Sequence, residues 1–187
     1  MRYLIKPDTF VSYLVDDFSD IPYTSSGTAY EYCKTNLRSI QNGLCAYTEI
    51  SLGASSQIDH WDPVIKFIDG FNPHNLFMIS SGINLQKRTR KPNILKPDDS
   101  KNPPQNLISY NITLNEFYAL KTELYEKVKE DIEILGLNEI NIVTERKNKI
   151  KKWFESVRLL GFRDPDFEDF PTAVEFYKQE LLRIDQN

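Results

Sequence analysis

The chain has only two cysteines, Cys33 and Cys45, in 187 residues, too few for a disulfide framework. It has no run of about 18 apolar residues, so no membrane-spanning helix is expected. The opening stretch Met-Arg-Tyr-Leu-Ile-Lys-Pro lacks the apolar core of a secretion signal. A reducing cytoplasm is the expected compartment. Histidine is as scarce as cysteine, with His60 and His74 alone, so any imidazole chemistry falls on one of two residues. Excess positive charge is also missing. There are 23 basic and 27 acidic residues, a net charge of −4, whereas a free-standing nucleic-acid binder is usually basic. There is no internal repeat and no long low-complexity tract.

What is present is ordinary for a globular protein: 40% hydrophobic and 27% charged residues. The length predicts one domain spanning 1–187. Within it we expect N-terminal helices over 1–43, a core over 44–91 and a helical extension over 107–187. Apolar spacing predicts a helix over 8–18, capped by Asp8, with Val11, Leu14, Val15 and Phe18 on one face. Thr28 with Glu31 is a capping-box pair opening a helix to about Asn42, with Tyr30, Leu37 and Ile40 inward and Gly43 as its stop. Residues 44–50 and 57–61 are strand candidates that would form a hairpin. The apolar run Leu76–Ile79 would pack beneath it. A helix from Ser80 or Ser81 would carry Asn84 and Lys87 one turn apart and end at Pro92.

Pro92, Pro97, Pro103 and Pro104 mark 92–106 as an irregular linker. Leu107–Asn111 can be a strand. Thr113 with Glu116 predicts a helix whose stripe is Phe117, Leu120, Leu124, Val128, Ile132 and Leu135, with Gly136 stopping or bending it. A helix over 141–160 would bury Ile150, Trp153, Phe154, Val157 and Leu160. A loop with Pro165 and Pro171 follows. Thr172 with Glu175 would open a last helix with Val174, Tyr177 and Leu181 inward.

The chemistry concentrates between Cys45 and Lys87. Asp59 and His60 are adjacent, Asn75 follows fifteen residues after His60, and Asn84 nine after that. A hard divalent ion is content with a carboxylate, an amide oxygen, waters and substrate phosphate, so Asp59 and Asn84 are candidate ligands for Mg²⁺ or Mn²⁺. His60 carries the side chain whose unperturbed pKa suits proton removal from water near neutrality. On a strand Asp59 and His60 would point to opposite faces, so a shared site needs a turn, which Pro63 permits. Asn75 would bond across that loop and hold it. Lys87, Arg88, Arg90 and Lys91 directly follow Asn84 and are candidate phosphate contacts, which supply affinity without reading sequence.

Each residue also has a plainer reading. Asn75 and Asn84 could be turn formers, His74 an ordinary loop residue, Cys45 a small buried hydrophobe. Glu49 could support the site or be a surface acid. The cluster Arg146, Lys147, Lys149, Lys151 and Lys152 could be a solvated helix face.

Taken together, Ile58-Asp59-His60, Asn75-Leu76, Asn84 and Lys87 resemble the ββα-metal core of HNH endonucleases, in the variant ending on Asn. The flanks, Leu44-Cys45-Ala46-Tyr47-Thr48-Glu49 and Ile132–Asn138 with Val143 and Arg146, are similar to the HNH components of Septu-type and retron-associated anti-phage defence systems. The resemblance spans roughly 37–150. It implies an α+β, mainly helical fold, His60 as general base, Asp59 and Asn84 as metal ligands, and Asn75 as the residue orienting the histidine loop. It further implies nucleic acid, most naturally DNA, as substrate and an ATPase as partner protein. Many such proteins hold the core with zinc on two Cys-x-x-Cys pairs. The matching positions here are Cys45, Thr48, Ser80 and Ile83, so no structural zinc is expected. A catalytically idle scaffold that binds its partner through the C-terminal helices, and an RNA-cleaving toxin, are the alternatives.

Overall fold

The computed structural model describes residues 1–19, 21–159 and 170–185. Leu160 and Pro165, named in the sequence analysis, lie outside the described residues, as does the side chain of Leu181. The fold is α+β and mainly helical. No helix among the described residues is long and apolar enough to cross a membrane.

Two helices lead in, α1 (Asp8–Phe18) and α2 (Thr28–Ile40). Their extents follow the apolar stripes, but their caps are backbone-made. Pro7 rather than Asp8 caps α1, its carbonyl accepting from Phe10 N and Val11 N, and Val15 is half exposed. Gly27, at φ 92, precedes α2, and Thr28 makes no capping bond. The end of α2 is a Schellman pair, Gly43 N to Arg38 O and Asn42 N to Ser39 O. Asn42, at φ 54, therefore takes the left-handed position one residue before Gly43.

The first sheet pairs β1 (Gln57–His60) with β2 (Leu76–Ile79), antiparallel, with Asp59 opposite Phe77 and His60 opposite Leu76. This corrects the expected hairpin. Residues 44–50 are not a strand, since only Leu44 bridges to Ser51. Cys45 to Glu49 turns instead, with Glu49 N on Cys45 O, Cys45 N on Ile50 O and Glu49 at φ 62. β2 wins the pairing because all four of its residues are apolar and buried on both faces. Directly after it comes α3 (Ser81–Lys87), which stops at Arg88, φ 52, short of the expected Pro92. The order strand–loop–strand–helix is thus complete between Gln57 and Lys87.

The second sheet pairs β3 (Ile108–Asn111) with β4 (Glu116–Ala119), again antiparallel. The first half of the helix expected after Thr113 is therefore a strand. Asn111 Oδ1 accepts from Thr113 N and Leu114 N, Asn115 sits at φ 60, and this turn chemistry closes a hairpin. Phe117 and Ala119 point in and Tyr118 out, a period of two that the longer apolar spacing had masked. The helix itself, α4 (Tyr125–Ile134), ends in a second Schellman pair with Gly136 at φ 64. Two further helices, α5 (Ile140–Leu159) and α6 (Pro171–Asp185), complete the described chain. Ile150, Trp153 and Val157 are buried on α5, and Ala173 and Val174 on α6.

Buried charged groups tie the irregular segments down. Glu49 accepts from Thr172 N at 2.9 Å and from Thr172 Oγ1, fixing the start of α6, and meets the amino group of Met1 at 3.3 Å. Arg146, fully buried rather than part of a solvated face, donates to Asn115 O and Leu137 O at 2.8 Å each and lies over the Phe117 ring. Asp131 is fully buried and accepts from three successive backbone N–H groups, Asn93 at 2.5 Å, Ile94 at 2.6 Å and Leu95 at 2.7 Å. The proline-rich stretch is strapped to α4 rather than hanging as a linker.

Removing the Asp131 carboxylate orphans those donors. Asp131→Ala is expected to lower unfolding free energy by about 3 kcal/mol or more, and Asp131→Asn, which keeps one acceptor, by roughly half as much. Urea denaturation of the three proteins measures both losses.

Candidate active site

β1 is extended through its last residue, so Asp59 and His60 face opposite sides of the strand. The turn at Pro63 comes after His60, too late to bring both side chains to one point. On one side Gln57 and Asp59 lie beneath α3. Asn84 Nδ2 donates to Gln57 Oε1 at 2.6 Å, and Lys87, one helical turn on, reaches Asp59. On the other side His60 packs toward Tyr23 and Gly70.

Lys87 is fully buried, against the expectation that it grips phosphate from the surface. Its Nζ lies 3.2 Å from Asp59 Oδ1, 3.1 Å from Asp59 Oδ2 and 2.8 Å from the His60 carbonyl. Tyr47 donates its hydroxyl to Asp59 Oδ2 at 2.7 Å. Burial raises the Asp59 carboxyl above its ordinary value, while the Lys87 charge and the Tyr47 bond pull it back toward the carboxylate. Burial together with the Asp59 charge raises Tyr47 well above the usual phenol, so it serves as a donor.

His60 is 5% exposed. Its Nε2 lies 2.8 Å from Gly70 O, and a carbonyl can only accept, so Nε2 carries the proton and Nδ1 the lone pair. Burial lowers its pKa to about 4; the Gly70 bond opposes that, and the charges of Lys66 and Lys87 add to it. The ring is neutral at physiological pH, the state a base requires. Gly70 is needed where it stands, because a Cβ there would lie 2.4 Å from Tyr23 N.

Asn75 is the clamp of the loop between the strands. Its Oδ1 accepts from Asp62 N at 2.7 Å and its Nδ2 donates to Asp62 O at 2.9 Å, while its own carbonyl accepts from Trp61 N. It holds the chain just past His60 and makes no bond to the imidazole itself. His74 is 64% exposed and 4.0 Å from Asp98, an ordinary loop position.

The basic run after Asn84 splits. Arg88 and Arg90 are exposed, and Lys91 is half exposed with its ammonium 2.6 Å from Asp62. Lys87 alone turns inward. Cys45, Thr48 and Ile83 are buried, and Tyr47 and Ile83 both belong to the core cluster. Among the described residues no three His, Cys, Asp or Glu side chains gather as an ion site. The donor set does not fit a divalent ion in this arrangement: both Asp59 oxygens are engaged by Lys87, and His60 lies across the strand. Sequence reasoning missed Tyr47 as a partner of Asp59, and Tyr23 and Gly70 as the walls around His60. No sequence signal marks either, since both depend on contacts between distant segments.

No family model matches the chain, and no curated protein matches it either.

The His60 shift has a defined sign. The folded protein favours the neutral ring, and the unfolded chain takes up a proton first as pH falls from 6.5 toward 4. The stability His60 contributes is whole above that window and lost through it. Urea unfolding between pH 7 and 4 should fall less steeply for His60→Gln than for wild type.

Proposed function

We propose that the chain is an endonuclease of the HNH type that hydrolyses nucleic-acid phosphodiester bonds, with DNA as its substrate. The observation that carries this reading is the unbroken succession of β1, a loop clamped by Asn75, β2 and α3. Asp59 and His60 end the first strand, and Asn84 lies on the helix. In this reading His60 accepts a proton from the attacking water through Nδ1, and Gly70 O holds the ring in the tautomer that leaves Nδ1 free of a proton. Asn75 acts as a positioning residue through the loop backbone. Arg88, Arg90 and Lys91 line the surface beyond α3 and suit contacts to flanking phosphates. The resemblance implies Mg²⁺ or Mn²⁺ on Asp59 and Asn84, which would require Lys87 to leave Asp59 and Asn84 to leave Gln57. It also implies a role in anti-phage defence and an ATPase partner that would deliver substrate to a chain with a net charge of −4.

A second reading has its own observation. The Lys87 ammonium on Asp59 and the enclosure of His60 are what a catalytically idle scaffold of the same fold would show.

Digestion of supercoiled plasmid, linear duplex DNA, single-stranded DNA and RNA, with Mg²⁺, Mn²⁺ or chelator, separates the two. Metal-dependent cleavage by wild type, reduced about 100-fold or more in His60→Ala, is the expected result. Equal behaviour of the two proteins sinks the role of His60. No cleavage of any substrate, with the ATPase partner present, favours the scaffold. RNA cleaved in preference to DNA makes the enzyme a ribonuclease.

A further inference from the structure

We infer that Lys87 is the resident cation of the Asp59 site and keeps divalent ions off Asp59 in the free protein. This rests on reading Asp59 as an ion ligand of the proposed nuclease. An ammonium has three N–H donors, and those of Lys87 meet a complete set of oxygens, both carboxylate atoms of Asp59 and the His60 carbonyl. These are hard oxygen donors at the meeting of strand and helix, the type Mg²⁺ and Mn²⁺ prefer. Tyr47 also donates to Asp59 Oδ2 at 2.7 Å, so Oδ2 accepts two bonds and Oδ1 is engaged by the ammonium.

Charge strengthens the exclusion. Lys87 is fully buried, and a divalent ion bound to Asp59 would stand within a few ångströms of a second cation with little water between them. The ion can enter only when Lys87 leaves. The Lys87 ammonium is bonded only to Asp59 and the His60 carbonyl, and Lys87 is the last residue of a short helix, so its withdrawal is a rotamer change that leaves the β1–β2 ladder intact. Asn84, one turn earlier, bonds Gln57 instead of Asp59, which leaves Lys87 as the single cation on that carboxylate among the described residues.

Binding of Mn²⁺ to the purified protein without nucleic acid, followed by calorimetry and by the paramagnetic resonance signal of free Mn²⁺, tests this directly. Wild type is expected to show no Asp59-dependent binding. Lys87→Met should tighten Mn²⁺ binding by roughly tenfold or more, and adding Asp59→Asn should erase the gain. Lys87→Gln, which keeps a donor for the His60 carbonyl, covers the case in which Lys87→Met does not fold, as judged by circular dichroism. Wild type binding Mn²⁺ through Asp59 as tightly as the Lys87 variants would overturn the inference, as would folded Lys87 variants that gain nothing. The titration needs no substrate. Failure here beside His60-dependent cleavage removes this inference alone, whereas a gain in the Lys87 variants beside absent cleavage removes only the nuclease reading.

Discussion

The buried contact among Asp59, Lys87 and Tyr47 joins three pieces of chain that share no backbone ladder beyond single bonds. Asp59 belongs to a four-residue strand, Lys87 to a seven-residue helix and Tyr47 to a turn. None of these is long enough to be stable alone. The ion pair sets how α3 lies on β1, and the phenol sets how the Cys45–Glu49 turn lies beneath both. Glu49, at the end of that turn, then fixes α6 through Thr172. A charge pair of this kind adds less stability than an apolar replacement could, but it admits one arrangement only, since either partner left alone would be a buried unpaired ion.

The same device recurs. Asp131 and Arg146 are fully buried, and each spends its charge on backbone groups of a distant segment rather than on an opposite charge. With two short sheets and long irregular stretches among the described residues, many backbone donors and acceptors lie outside any ladder. Long polar side chains reach them instead. The charged residues of the core are therefore part of the fold's hydrogen bonding and not evidence of chemistry in themselves.

This explains which features could be read from sequence. The helices α1, α2 and α5 were legible because one apolar stripe sufficed to define each. Asn75 was legible because an Asn after a proline-containing loop has few better uses than to close it. β2 was seen as apolar but not as a strand, since four buried apolar residues have no period. Phe117 to Leu135 has the pattern of one helix because Phe117 of β4 and Leu120 and Leu124 of the following turn fall at helical spacing from the buried residues of α4. The burial of Lys87 is illegible for a different reason. Its neighbours Arg88, Arg90 and Lys91 are surface cations, and nothing in a run of basic residues marks the one whose partner lies on a strand far back in the chain. The requirement for Gly70 is not legible in sequence, because it comes from Tyr23, a residue still farther off along the chain.

The Asp131 cradle has a practical consequence for where the chain can be interrupted. Residues 93–95 carry prolines nearby and would pass for a tolerant surface loop, yet three consecutive amides there are committed to one carboxylate. A peptide tag or a protease site placed among them would break the strap. Ser100 and Lys101, a few residues on, are exposed. Foreign sequence spliced in there leaves the three amides on Asp131 in place and disturbs only the local turn in which Lys101 N and Asn102 N donate to Asp99.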